Sequence, residues 1–151
     1  MAVRLKTTVN LKANAECPTH SRADISIRDL TFSIDEPVER GGTNAGPTPT
    51  DTALAALAGC TNVIGHKCAN QLGVDIGHLK ISVTCAFDRR GVTLAEEIAT
   101  PFVAIEQTVS YSGAATEEEI GRVAAEVEKF CPLAKLFSGS GTALTTTWAR
   151  G

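Results

Sequence analysis

Strict alternation of apolar and polar residues marks several stretches of this chain as strands. From Val3 to Leu11 the apolar residues Val3, Leu5, Val9 and Leu11 fall on alternate positions, with Thr7 between, the pattern of a half-buried strand. The same period returns at Ile25 and Ile27 and again at Phe32 and Ile34, which predicts two short strands or one bent one within Ala23 to Asp35. Asp35-Glu36-Pro37 closes that stretch, because the residue before a proline is pushed away from helical geometry and proline donates nothing to a ladder. Leu79, Ile81, Val83, Cys85 and Phe87 alternate within a strand predicted from His78 to Arg89. Ile105, Val109 and Tyr111 share one face of another, Ile98 to Tyr111, and a last strand is expected from Thr142 to Trp148.

A helical period takes over in two places. After the loop Gly41 to Pro49, GGTNAGPTP, Thr48 is placed to cap a helix, Pro49 suits its first position, and Asp51 stands where a capping-box acid reaches back. That helix is predicted from about Pro49 to Gln71, ending near Gly73, with Leu54, Leu57, Thr61, Ile64 and Cys68 on one face. Its first half is apolar nearly all round, which implies shelter on more than one side and hence a partner subunit. Thr116 to Phe130 is amphipathic, opened by Thr116 with Glu119 three residues on, and Ile120, Val123, Ala124 and Val127 form its stripe. Cys131-Pro132 breaks it. A short turn through Leu136, a flexible SGSG at Ser138 to Gly141 and the final strand complete an order βββ-α-ββ-α-β, which lacks regular βαβ alternation and is therefore α+β.

Composition narrows the function classes. At 151 residues the chain is read as a single domain, and its 43% hydrophobic and 21% charged residues argue against wholesale disorder. A net charge of −3 offers no electrostatic footprint for nucleic acid, and no stretch approaches the ~20 apolar residues needed to cross a bilayer. Charges interleave with apolar residues from Met1 to Leu11, so no signal-peptide core is expected there. The five cysteines, an odd number, do not form a disulfide scaffold, and a cytoplasmic location is expected.

Among those cysteines, Cys60 lies in the first helix, off the centre of its apolar stripe. Cys131 precedes Pro132, where it would cap the following helical turn and feel a partial positive charge that favours thiolate. Cys68 and Cys85 fall in phase with apolar positions and read as core. Cys17-Pro18-Thr19-His20 has no second Cys/His pair at zinc-finger spacing, and His66 and Cys68, two apart on a helix, point in different directions, so no metal site is expected. Gly41, Gly42 and Gly46 lack the lysine-serine ending of a phosphate loop and are expected to permit a tight turn beside a partner subunit. Glu117 to Glu119 is an ordinary acidic helix start.

Taken together, GGTNAGPTPTDTALAALAGC from Gly41 to Cys60 and CPLAKLF from Cys131 to Phe137 resemble the OsmC/Ohr family of thiol-dependent hydroperoxide reductases, and the element order matches along nearly the whole chain. The resemblance implies an interlocked homodimer with central helices flanked by sheets and active sites at the interface. By position Cys60 matches the family's peroxidatic cysteine, which attacks an organic hydroperoxide or hydrogen peroxide to give a sulfenic acid, and Cys131 matches the resolving cysteine that closes a disulfide. A dithiol or small thiol would reopen it, with no metal, flavin or haem. In the family's peroxidase branches a Glu ten residues before the first cysteine helps to hold a catalytic arginine. Thr50 stands there in this chain, with Asp51 beside it; Arg22 is the leading candidate for the arginine and Arg40 the second. An OsmC-like small-ligand-binding protein and a thiol redox sensor are the alternatives that share these residues.

Overall fold

A computed structural model describes residues 6–151. Six strands and three helices follow the order β1 (Asn14–Glu16), β2 (Ala23–Ile27), β3 (Leu30–Ile34), α1 (Pro49–Leu72), β4 (Leu79–Phe87), β5 (Phe102–Tyr111), α2 (Glu117–Phe130), α3 (Pro132–Gly139) and β6 (Ala143–Arg150). The class is α+β, with one helix more than the sequence pattern predicts. The chain divides into two compact units, the first ending at Thr52 and the second running from Ala53 to Gly151.

The first unit is built on an antiparallel sheet in the order β1-β2-β3, with Ala15 opposite Ile25 and Ile25 opposite Phe32. The strand expected from Val3 to Leu11 is not found where it can be seen: Val3 and Leu5 lie outside the described residues, and Lys6 to Leu11 join no ladder. Alternation produces a strand only where a neighbour accepts its hydrogen bonds, and the side chains of Val9 and Leu11 are exposed rather than covered. After β3 the chain is gathered by the fully buried Asp35. One of its carboxylate oxygens accepts the Glu36 N–H, and the other accepts the Thr43 N–H, the Thr43 hydroxyl and the Ala45 N–H. The Thr43 hydroxyl is the main cause that holds this carboxyl well below the usual carboxylate range, seconded by the loop's N–H groups against the cost of burial. Gly42 and Gly46 are needed because a Cβ at either would collide with the backbone of Glu36 or Ser33. The expected tight turn is thus packed against the chain's own backbone.

In the second unit β4 runs antiparallel to β5 and β6 runs parallel to it, in the order β4-β5-β6. A parallel neighbour needs a long crossover, which α2 and α3 supply. The strand predicted from Ile98 begins at Phe102 instead, since Pro101 has no N–H to give to a ladder. Pro101 still ends the ladder by accepting the Asp88 N–H at 2.8 Å. Leu57, Ile105 and Val123 are fully buried and form the heart of the core, joined by Cys131, and Val109 is fully buried as well. At one end Phe102 meets both Phe87 and Phe137 edge to face, with ring centroids 5.1 and 5.3 Å apart. Thr116 and Glu119 form the capping box expected of them, the hydroxyl accepting the Glu119 N–H and the carboxylate accepting the Thr116 N–H. α3 replaces the expected short turn and takes in Ser138 and Gly139, so only Ser140 and Gly141 of the SGSG stretch remain a turn.

Candidate functional site

The site is assembled in the second unit by the junction of α2 and α3 and the middle of α1. Pro132 ends α2, because it has no N–H and forbids its predecessor a helical conformation, and it opens α3 at the first position. Cys131 is left extended between them, with φ −73° and ψ 110°. Its N–H donates to the Val127 carbonyl and its sulfur accepts the Ala134 N–H at 3.4 Å, so one residue closes α2 and caps α3. Cys60 comes from the middle of α1 and is half-buried, whereas Cys131 is wholly enclosed. The Cys131 thiol donates to the Cys60 sulfur across 3.1 Å, 71 residues away along the chain. Both cysteines are free thiols, and closing a bond of about 2.05 Å between them requires a shift of about 1 Å.

Burial separates the two chemically. Loss of water, followed by the hydrogen bond to Cys60, pushes the Cys131 thiol up to about 11, against the opposing pull of the Ala134 N–H. The expectation that the cap of α3 favours a Cys131 thiolate is therefore overturned: a partial charge at the end of an eight-residue helix is outweighed by desolvation. Cys131 keeps its proton and directs it at Cys60. Cys68 and Cys85, read as core, are buried and half-buried; burial pushes both thiols up, with the Glu126 carboxylate adding to the effect at Cys68. Cys17 is exposed, and among the described residues no group of three or more His, Cys, Asp or Glu is placed to hold a metal ion.

The other predicted site residues lie in the first unit. Arg22 donates through Nε to Asp24 at 2.8 Å, and Ser33 donates to the same carboxylate oxygen at 2.7 Å. Asp51 accepts the Thr48 hydroxyl at 2.7 Å, while its N–H donates to that same oxygen at 3.1 Å. Asp51 thus closes the start of α1 as a variant of the predicted capping box, and the carboxylate that holds Arg22 is Asp24. Arg40 pairs with Glu36. Sequence pattern missed Asp24, whose only signal was a place two residues from Arg22 on one side of a short strand. It also missed the buried pair Thr61 and Gln107, whose hydroxyl and amide oxygen meet at 3.1 Å. The one hint of that pair was a polar residue on each of two apolar faces.

An α+β chain that brings a helix-borne cysteine against a second cysteine at a helix junction is a dithiol protein. A family model described as OsmC-like protein matches residues 42–147, and the chain belongs to this family. The fold is shared with an OsmC-like protein from Mycoplasma pneumoniae, 18% identical with a TM-score of 0.78, over 94% of this chain and 97% of that one. It is shared as well with an organic hydroperoxide resistance protein OsmC from Legionella pneumophila, 15% identical with a TM-score of 0.72, over 95% and 99%. The organic hydroperoxide resistance protein OhrB of Bacillus subtilis is 18% identical with a TM-score of 0.62, over 93% and 98%. No curated protein matches by sequence.

Proposed function

We propose that the chain is a cysteine-based peroxidase that reduces organic hydroperoxides or hydrogen peroxide, with Cys60 as the attacking sulfur and Cys131 as the resolving one. The observation that carries this reading is the 3.1 Å contact between the two sulfurs, one half-exposed and one enclosed. The Cys60 thiolate attacks the terminal oxygen of the hydroperoxide, the O–O bond breaks, and the departing alkoxide takes up a proton to become an alcohol. Cys60 is then a sulfenic acid. The Cys131 sulfur displaces its hydroxyl, the thiol proton leaves with that hydroxyl as water, and a Cys60–Cys131 disulfide remains. A dithiol or two small thiols return both cysteines to the reduced state and are themselves oxidised to a disulfide.

Arg22 is the proposed cation of the site, aligned by Asp24, and Asp51 contributes by fixing the first turn of the helix that bears Cys60. The working molecule is proposed to be a cytoplasmic homodimer with one domain per chain. Support for the dimer comes from α1, where Ala55, Ala56, Gly59 and Val63 leave an exposed, small and apolar strip. No helix among the described residues is long and apolar enough to cross a membrane. The test is to treat reduced protein with one equivalent of cumene hydroperoxide and locate the disulfide by peptide mass spectrometry. A rapid Cys60–Cys131 bond, absent from Cys60→Ser and Cys131→Ser, is the expected result; slow oxidation scattered over Cys17, Cys68 and Cys85 would rule the reading out.

A further inference from the structure

A second site lies within the second unit, in a cavity of about 310 Å³ bordered by α1, α2, α3, β5 and β6, which neither Cys60 nor Cys131 lines. Its floor is polar at positions where the fold asks for apolar residues. Gln107, 3% exposed, occupies the inward face of β5 between Ile105 and Val109, and Thr61, 1% exposed, occupies the core face of α1. The Thr61 hydroxyl donates to the Gln107 amide oxygen at 3.1 Å, and the Gln107 amide nitrogen donates to the Thr146 hydroxyl at 3.3 Å. A primary amide carries two N–H donors and two acceptor lone pairs, so one of each is left over. The Thr146 hydroxyl also has its own proton to give. Leu144 and Trp148 supply apolar wall, the exposed, acidic Glu128 borders the space, and no lysine or arginine does.

From this arrangement we infer that the cavity is a binding site for a small neutral molecule with a donor–acceptor head, such as a carboxamide or an alcohol, on a compact apolar body. The head pairs with the spare N–H and lone pair of Gln107 and with Thr146, and the body lies against Trp148 and Leu144. An anionic head is refused, because Glu128 repels it and nothing cationic compensates for its lost hydration. The ligand head takes the place of water at the spare N–H and lone pair of Gln107. The site does not depend on turnover at Cys60, so its test stands apart from that of the peroxidase reading.

Trp148 is the single tryptophan of the chain and borders the cavity, so its emission reports occupancy directly. Reduced, full-length protein is titrated with benzamide, and with benzoate as the charged counterpart of the same size. A saturable emission change with benzamide is expected, with benzoate binding about tenfold or more weaker. Gln107→Leu should weaken benzamide about tenfold, the worth of one or two hydrogen bonds. Thr146→Val, on the less buried side of the network, provides the same reading should the Gln107 variant fail to fold. No saturable change in folded wild-type protein, equal binding of benzoate, or unchanged benzamide affinity in a folded variant overturns the proposal.

Discussion

Cys131 and Cys60 are the same side chain in one contact, yet water reaches only one of them. The enclosed Cys131 is pushed from an ordinary 9.0 up to about 11, first by burial and then by its hydrogen bond to Cys60. Its folded-state value is therefore the higher one, so the stability it contributes is complete below about pH 9 and is lost as pH rises through about 11. Urea midpoints of the reduced protein should fall between pH 9 and pH 11. Cys131→Ala should give a shallower fall, with Cys68 and Cys85 supplying what remains. Equal slopes in the two proteins would show that Cys131 ionises as freely in the fold as out of it. The cysteine itself was legible as a cap, because Cys-Pro after an amphipathic helix allows little else. Its ionisation was not, because desolvation is set by neighbours such as Cys60 from α1 and Ala134 from α3.

At the scale of elements, the loop between β3 and α1 behaves as one unit around Asp35. Four donors converge on this carboxylate, and none of them is a cation. Its folded-state value lies below the unfolded one, so its contribution is present above about pH 4 and fades as pH falls from there. Asp35→Asn would set an NH₂ against N–H and O–H groups that need an acceptor. The expected result is cleavage within residues 41–47 by a nonspecific protease several times faster than in the wild type, with circular dichroism from the helices preserved. An unchanged digestion rate would show that the glycines alone hold the loop. The loop's position and the start of α1 were readable from Gly, Pro and Thr48. The organising role of Asp35 was not, since next to Pro37 it reads as a simple strand stop.

At the scale of the molecule, the strip Ala55, Ala56, Gly59 and Val63 on α1 is an apolar surface that a single chain leaves exposed. Sequence pattern anticipated a helix sheltered on several sides, and within one chain only the side with Leu57, Thr61, Gly65 and Cys68 is buried. If the proposed homodimer closes over the remaining side, Val63→Glu should place a charge at the contact and yield monomers in sedimentation velocity, where the wild type sediments as a dimer. A monomeric wild type would rule the homodimer out, and a Val63→Glu dimer of unchanged stability would move the interface elsewhere. Glutamate is well tolerated in helices, so α1 itself should persist in the variant.

Local chemistry was enough to determine two of the three helices and most strands. Period, caps and proline positions act over a few residues, and they set α1, α2, β4 and the break at Pro132 wherever the rest of the chain lies. They also placed Cys60 off the centre of the α1 stripe and Cys131 at the break before Pro132, and the family resemblance singled the two out as a pair. Only the tertiary structure decided that these two sulfurs meet, that Asp24 rather than Asp51 holds Arg22, and that Thr61 and Gln107 share a cavity. Each of those facts depends on which side chains arrive from distant elements, and on the water they displace as they do so.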